Sequence, residues 1–451
     1  MVTLQSSSVI ARLERLPITR WHVRARLVMG TATFFDGYNV LAIAYALPVL
    51  IHEFHMTPLA IGPMISASFL GQLIGALAFG WLAERYGRLR IATLTIATYG
   101  LMGFACAFAW DAPSLGIFRF LQGIGLGGEV PIAAAYINEF ANAERRGRFF
   151  ILYELSFSLG LLLVAILGYF VVPAVGWRAL FLIGGIPAIP VIFLRWLLPE
   201  SPRWLIEHGR TDEADRIVST IERHATAQGI VLPEPDAGPR LVPRSNSGRW
   251  RELVSGIYLK RSLLVWTYWS CSYLIGYGLT TWLPTLYSTV FSLSLSTALG
   301  YGLITSIIAM GGTVACALLI DKVGRRFWYN LAFFGGAVPL VVLWALGAST
   351  ATQVLWLATA SFVFVGTINI SILVYAAELY PTRIRALGVS VGSAWLRAAS
   401  AIGPVLVGLV LAHGSIRWVF GMFAVVAAIG GVVNLFFGIE TKGQILETLS
   451  P

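Results

Sequence analysis

Twelve predominantly apolar runs occupy most of this chain: 27–51, 62–83, 89–110, 114–138, 149–173, 177–198, 262–290, 297–320, 327–347, 352–377, 386–412 and 416–438. Each is long enough to cross a bilayer as a helix, which takes about 20 residues. In lipid a helix satisfies its own backbone hydrogen bonds where the solvent cannot. The expected fold is therefore all-α and polytopic, with twelve transmembrane helices. Composition agrees, since 57% of residues are apolar and 12% charged, against about 25% charged in soluble domains.

Loop charge gives an expected orientation. The connections after the second, fourth, eighth and tenth runs hold Arg85, Arg88 and Arg90; Arg145, Arg146 and Arg148; Lys322, Arg325 and Arg326; and Arg383 and Arg385. The stretch 199–261 is also basic, whereas the alternate connections carry only Arg178 and Arg417, at helix starts. Positive residues stay on the cytoplasmic side, so both termini and the central stretch are expected there, in a cell (inner) membrane. The net charge of +10, from 32 basic and 22 acidic residues, has this origin and does not point to nucleic acid. The run 27–51 is too long for a cleaved signal. Cys106, Cys271 and Cys316 lack metal-ligand spacing and read as small core residues.

The expected organisation is a cytoplasmic segment 1–26, a six-helix bundle 27–198, a cytoplasmic loop 199–261, a second bundle 262–438 and a cytoplasmic tail 439–451. Within the loop, Thr211 is placed to cap a helix over 212–225, with Ala214, Ile217, Val218 and Ile221 on one face. Residues 232–243 are proline-rich and read as linker. The bundles repeat. Leu82–Arg88 answers Leu319–Arg325 at an offset of 237, Glu139 and Arg146 answer Glu378 and Arg385 at 239, Arg178 answers Arg417 at 239, and Glu200 answers Glu440 at 240. Such a parallel repeat puts a binding site at the midplane between its halves.

The fourth run carries Arg119, Gln122 and Glu129 among apolar residues. Ionisable groups in hydrocarbon cost at least a few kcal/mol and by default mark a site or pathway; a buried structural ion pair is the alternative. Gly123, Gly125, Gly127 and Gly128 would let neighbouring helices come close. Counted from the cytoplasmic helix ends at ~1.5 Å per residue, Asp36, Glu129 and Arg397 lie about 14–17 Å deep, near the midplane, and Arg119 roughly 28 Å deep. Glu154, near the start of its run, is assigned to the inner gate region.

The stretches GWLAERYGRLR, RFLQGIGLGGE, PESPRWL, GLTTWLP, DKVGRR and ELYPTRIRALG resemble the major facilitator superfamily, in its sugar-porter-related branch. FFDGYN and GGEVP are similar to bacterial metabolite:proton symporters, including nicotinate and aromatic-acid transporters. The resemblance implies two pseudo-symmetric six-helix bundles. It also implies a cavity lined by the first, fourth, seventh and tenth helices, and an inner gate built from the repeated loops. The gate residues would be Gly80, Glu84, Arg85, Gly87, Arg88, Glu139 and Arg146 in the first half, and Asp321, Gly324, Arg325, Glu378 and Arg385 in the second. Asn39 stands where many relatives carry a second acid, and Ala317 stands where the first half has Gly80.

The cavity face of the fourth helix would present Arg119, Gln122 and Glu129, joined by Tyr273, Tyr277, Trp282, Asn369 and Tyr375. Aromatic rings suit a flat substrate. SAWLRAASAIGP resembles the eleventh helix of organic-ion transporters, where an Arg goes with anionic substrates, and a guanidinium grips a carboxylate in a bidentate fork. Arg397 could otherwise pair with Glu129 or Asp36. A carboxyl at mid-depth can load a proton on one side and release it on the other. The expected function is proton-coupled symport of a small organic anion, aromatic or nicotinate-like. A sugar or sugar acid is the runner-up, and drug efflux comes third. No metal cluster, nucleophile–base pair or ATP-binding loop points to an enzyme or a cofactor. The expected partners are a small-molecule substrate, protons and membrane lipid, with the chain a monomer.

Overall fold

A computed structural model describes residues 2–140, 146–235 and 250–442 of the 451. In chain order the helices are α1 (Val2–Glu14), α2 (Arg20–Glu53), α3 (Pro58–Tyr86), α4 (Arg88–Ala107), α5 (Ala112–Phe140), α6 (Arg146–Val175), α7 (Arg178–Gly185), α8 (Leu194–Leu197), α9 (Pro202–Glu207), α10 (Thr211–Ala227), α11 (Trp250–Leu253), α12 (Gly256–Thr289), α13 (Leu295–Val323), α14 (Arg325–Leu346), α15 (Ala351–Leu379), α16 (Thr382–His413) and α17 (Ile416–Phe437). Short 3₁₀ turns, Ile186–Ala188 and Pro190–Phe193, separate α7 from α8.

Ten of these helices are long and apolar enough to cross a membrane. Two of the twelve runs differ. The sixth breaks after α7, because Pro187 and Pro190 each remove a backbone donor that a continuous helix would use. The seventh, α12, is 34 residues long but interrupts its apolar residues with Thr267, Tyr268, Ser270, Ser272 and Tyr273. Both α2 and α12 start earlier than their apolar runs, so their polar flanks are helical.

Glycine sets how closely the first half packs. An added Cβ at Gly123 would lie 2.0 Å from the Ser68 carbonyl oxygen, and one at Gly127 2.1 Å from that of Gln72, both on α3. A Cβ at Gly125 would lie 2.6 Å from the Tyr99 amide nitrogen and 2.8 Å from the Thr95 carbonyl oxygen of α4, and one at Gly128 2.6 Å from the Phe79 side chain. Small residues permit this backbone approach between membrane helices.

The halves meet along α3 and α16, α6 and α13, and α2 and α12. The closest contacts lie toward the face away from the loops α9–α11. There a Cβ at Gly62 would sit 2.8 Å from Val405 Cα and one at Gly408 2.7 Å from the Pro58 carbonyl oxygen. Ser66 donates to the Ala401 carbonyl, and the Tyr45 and Ser306 hydroxyls are 3.2 Å apart.

On the loop-bearing face, α10 buries Ala214, Val218 and Ile221, and α9 and α1 pack on it. Thr211 is the first helical residue and its hydroxyl has no hydrogen-bond partner. It therefore does not cap the helix. The α1 helix is tied to α10 by Arg12, which binds Asp215, Glu222 and Ser219, and by Arg15, 2.6 Å from Glu222 Oε1. Of the expected linker, 236–243 lies outside the described residues.

The repeat is visible in two helix starts. Gly87 (φ 110°) joins α3 to α4, and Gly324 (φ 97°) joins α13 to α14. The Glu200 carboxylate accepts the Leu89 amide at 3.0 Å. Its counterpart Glu440 accepts the Arg325 and Arg326 amides at 3.0 and 3.1 Å. Each carboxylate thus satisfies orphan donors at a helix N-terminus. A Cβ at either glycine would lie 2.5 Å from a carboxylate oxygen. Gly87→Ala and Gly324→Ala are each expected to cost about 1–3 kcal/mol through strained φ and this clash, read as a lowered thermal midpoint.

Burial alone would push the Glu440 carboxyl up. The amides of Lys442, Arg325, Arg326 and Thr441 outweigh it and hold the group below its ordinary value. A carboxyl held low stabilises the fold above its unfolded value, about 4.3, and that contribution is lost as pH falls through the folded value. Acidification from about pH 5 to about pH 3 is therefore expected to lower the midpoint of wild type more than that of Glu440→Gln.

Candidate functional site

Side chains from both halves converge where α2, α5 and α6 face α12 and α16. Asp36 of α2 is buried and its Oδ1 has no hydrogen-bond partner. Arg397, Glu154 and Glu129 lie within electrostatic reach of it. Glu129 of α5 accepts a hydrogen bond from Thr33 Oγ1 at 2.9 Å, Thr33 bonds in turn to the Tyr153 hydroxyl, and Glu129 Oε2 has no partner. Arg397 of α16 donates from Nη1 to Ser393 Oγ at 2.6 Å. From Nη2 it crosses to the other half, to the Gly127 carbonyl at 3.3 Å. Its Nε has no partner, and among the described residues no carboxylate lies within the 4.0 Å of an ion pair.

Rings flank this charge cluster. Tyr273 and Tyr277 of α12 are half-buried, their ring centres 5.8 Å apart. Phe69 of α3 lies 4.8 Å from Tyr277, so the aromatic wall also draws on both halves. Asn369 of α15 reaches the same helix: a Cβ on Gly276 would lie 3.2 Å from its Nδ2, and its Oδ1 has no partner. Glu154 and Phe69 join the cluster without having been picked out for it. For Glu154 the reason is helix length: α6 starts at Arg146, which sets Glu154 about 12 Å into the helix. Nothing in the sequence distinguishes Phe69 from other aromatic residues.

Arg119, Gln122 and Asn39 form a different assembly. Arg119 Nη1 donates to the Asn39 carbonyl at 3.0 Å and to Gln122 Oε1 at 2.7 Å. Gln122 Nε2 donates to Asn39 Oδ1 at 3.0 Å, and Asn39 Nδ2 to the Gly184 carbonyl at 2.9 Å. All three are fully buried, and each of these partners belongs to the first half. They tie α2, α5 and α7 together, and a side chain so enclosed does not meet an incoming anion in this conformation. Trp282 and Tyr375 also leave the cavity set. The Trp282 indole donates to the Pro404 carbonyl at 3.1 Å between α12 and α16. The Tyr375 hydroxyl donates to the Ile439 carbonyl at 2.8 Å, and its ring packs on Tyr268 and Tyr329.

The loop charges pair within each half. Arg88 binds Glu84 at 2.9 Å and Glu139 at 3.2 Å. Arg325 binds Asp321 at 2.8 Å and Glu378 at 3.0 Å, and Thr441 Oγ1 donates to Glu378. Arg85 is exposed, 5.6 Å from the rings of Trp81 and Tyr86. Arg385 Nε donates to the Tyr380 carbonyl at 3.2 Å. A Cβ at Gly80 would meet nothing within 4 Å, so this glycine admits no close neighbour here. The side chain of Arg146 lies outside the described residues.

The profile of the family described as "Sugar (and other) transporter" matches residues 18–451. The niacin transporter NiaP of Acinetobacter baylyi is 35% identical over 450 residues, covering 98% of this chain and 99% of its own. The 4-hydroxybenzoate transporter PcaK of the same organism is 29% identical, covering 93% and 91%. Among solved structures, the xylose transporter XylE from E. coli, in a partially occluded inward-open conformation, superposes with a TM-score of 0.73. It is 18% identical and covers 95% of this chain and 100% of its own. That likeness concerns the fold.

The loop networks yield a direct test. Arg88 and Asp321 share no partner, so the losses of thermal stability in Arg88→Ala and Asp321→Asn are expected to add in the double variant to within about 0.5 kcal/mol. A coupling well above that would mean a pairing across the halves.

Proposed function

The chain belongs to the sugar (and other) transporter family, and from that premise we propose that it carries a small aromatic or nicotinate-like carboxylate together with a proton, by alternating access. The single observation that carries this reading is Arg397. It is buried at the seam, spans it to the Gly127 carbonyl, and among the described residues has no carboxylate partner. An unpaired buried guanidinium is costly, and a substrate carboxylate supplies the missing counter-charge in a geometry that guanidinium favours. Tyr273, Tyr277 and Phe69 beside it offer flat apolar faces for a ring. Relatives described as transporting niacin, 4-hydroxybenzoate and benzoate favour the same substrate class.

Charge balance favours proton coupling. Asp36, Glu129 and Glu154 stand within electrostatic reach of one another, opposite one guanidinium, and an anionic substrate adds to the surplus. Protons are the simplest means of offsetting it in a low-dielectric seam. Asp36 and Glu129 are the coupling acids in this reading, with Glu154 as a third. The loop-bearing face, rich in Arg, is the cytoplasmic one, with both termini there, in the inner membrane. In this reading the chain works as a monomer. Rocking of the halves opens the seam to each side in turn.

Proteoliposomes separate the roles. Arg397→Lys keeps the charge but loses the fork, and its half-saturating nicotinate or benzoate concentration is expected to rise about tenfold or more, at the lower end of what a hydrogen bond to a charged group is worth. Glu129→Gln and Asp36→Asn are expected to lose uptake driven by a pH gradient while keeping counterflow exchange. Full pH-driven uptake in both would remove them as coupling acids, and uptake of sugars but not carboxylates would overturn the substrate class.

A further inference from the structure

The two halves repeat an arginine at the start of their last crossing, Arg178 and Arg417, but surround it differently. Arg178 Nη1 lies 2.8 Å from Glu53 Oε1, and the other Glu53 oxygen accepts from Trp177 Nε1 at 2.7 Å. Glu53 ends α2. Its counterpart region, the end of α12 and the loop that follows, contains neither Asp nor Glu from 283 to 300. Arg417 therefore has no equivalent acid. Its guanidinium lies 5.1 Å from the Trp344 ring and 5.8 Å from that of Trp418, and its Nε is buried without a hydrogen-bond partner.

A groove of about 590 Å³ opens beside these tryptophans on the outer surface of the second half. Val341 and Trp344 of α14, Val410 of α16, and Trp418, Met422 and Ala428 of α17 line it, and its walls are almost wholly apolar. From Ile416 to Ala428 the α17 helix rises about 18 Å. That is close to the hydrocarbon thickness of one leaflet, about half of a ~30 Å core. The groove thus runs from headgroup level, where tryptophan is at home, toward the midplane, with a cation at its headgroup end.

We propose that this groove binds an anionic phospholipid, with one acyl chain along α17 and the phosphodiester on Arg417. The lipid phosphate supplies the counter-charge that Glu53 supplies to Arg178, through the donors that make arginine a phosphate ligand. Ordinary annular lipid needs only apolar surface. The uncompensated arginine over an apolar slot of leaflet depth is what marks a defined site. Val410 belongs to α16, whose Gly408 meets Pro58 across the seam, so a lipid here braces the second half behind its contact with the first.

Native mass spectrometry of the full-length protein in detergent, titrated with phosphatidylglycerol or phosphatidylethanolamine of identical acyl chains, tests the site. Wild type is expected to retain one phosphatidylglycerol, about fivefold more strongly than phosphatidylethanolamine, the contrast one basic side chain provides at a membrane surface. Arg417→Gln should remove that preference, whereas Arg178→Gln, whose partner is internal, should keep it. Ala428→Phe, which fills the foot of the groove, should weaken retention of both lipids. Equal retention of the two lipids by wild type, or an undiminished preference in Arg417→Gln, overturns the proposal. Should Arg417→Gln not survive purification, undiminished phosphatidylglycerol retention in Ala428→Phe overturns it equally.

Discussion

Moving an unpaired charge from water into the interior of a membrane protein costs several kcal/mol, and the arrangement of this chain follows from how each buried charge is answered. Arg88 and Arg325 are answered twice over by carboxylates in their own halves. Arg119 is answered without any acid, by the Asn39 carbonyl and Gln122 Oε1. Arg397 is answered by a serine and one carbonyl across the seam. Arg119 leaves Nε and Nη2 without partners inside the first half, so what marks Arg397 is its place at the seam between the halves and not the number of its satisfied donors.

Packing sets the other constraint. Where α3, α4 and α5 touch, backbone meets backbone through Gly123, Gly125 and Gly127, and the first half forms a rigid block. The seam also brings backbone to backbone, at Gly62 with Val405 and Gly408 with Pro58, and adds polar contacts such as Ser66 with Ala401 and Tyr45 with Ser306. Rocking of the halves exchanges contacts of this kind on one face for contacts on the other.

Much of this was legible in the sequence because it rests on short-range or repeated signals. The apolar runs predicted twelve crossing helices, and ten of the described helices are long and apolar enough. The offsets matched the Gly87 loop with the Gly324 loop and Glu200 with Glu440, without showing that each glutamate closes its loop. The depth count brought Asp36, Glu129 and Arg397 to one level because helix rise is constant. What failed depended on tertiary partners. Gln122 and Glu129 share a helical face seven residues apart and both meet α2, yet Gln122 is closed off by Asn39 and the Tyr99 carbonyl while Glu129 meets Thr33 and keeps one oxygen free of partners. Trp282 and Tyr375 were chosen as aromatic residues on the right helices, but each indole or hydroxyl found a backbone carbonyl elsewhere. The α1 helix is weakly apolar, and its seat depends on Glu222, more than two hundred residues away.

The carboxylate that closes the start of α4 belongs to a residue 111 positions further along the chain. During synthesis the Leu89 amide is therefore made long before its acceptor, roughly 6 to 22 seconds earlier at ordinary elongation rates. Over that interval the third crossing has a ragged start that only water can satisfy, and Glu200 closes it as the sixth crossing is completed. The second half repeats the schedule, with Arg325 waiting for Glu440. Each half is thus sealed by its own last-made residue, so assembly of the molecule has two natural checkpoints in time as well as two halves in space.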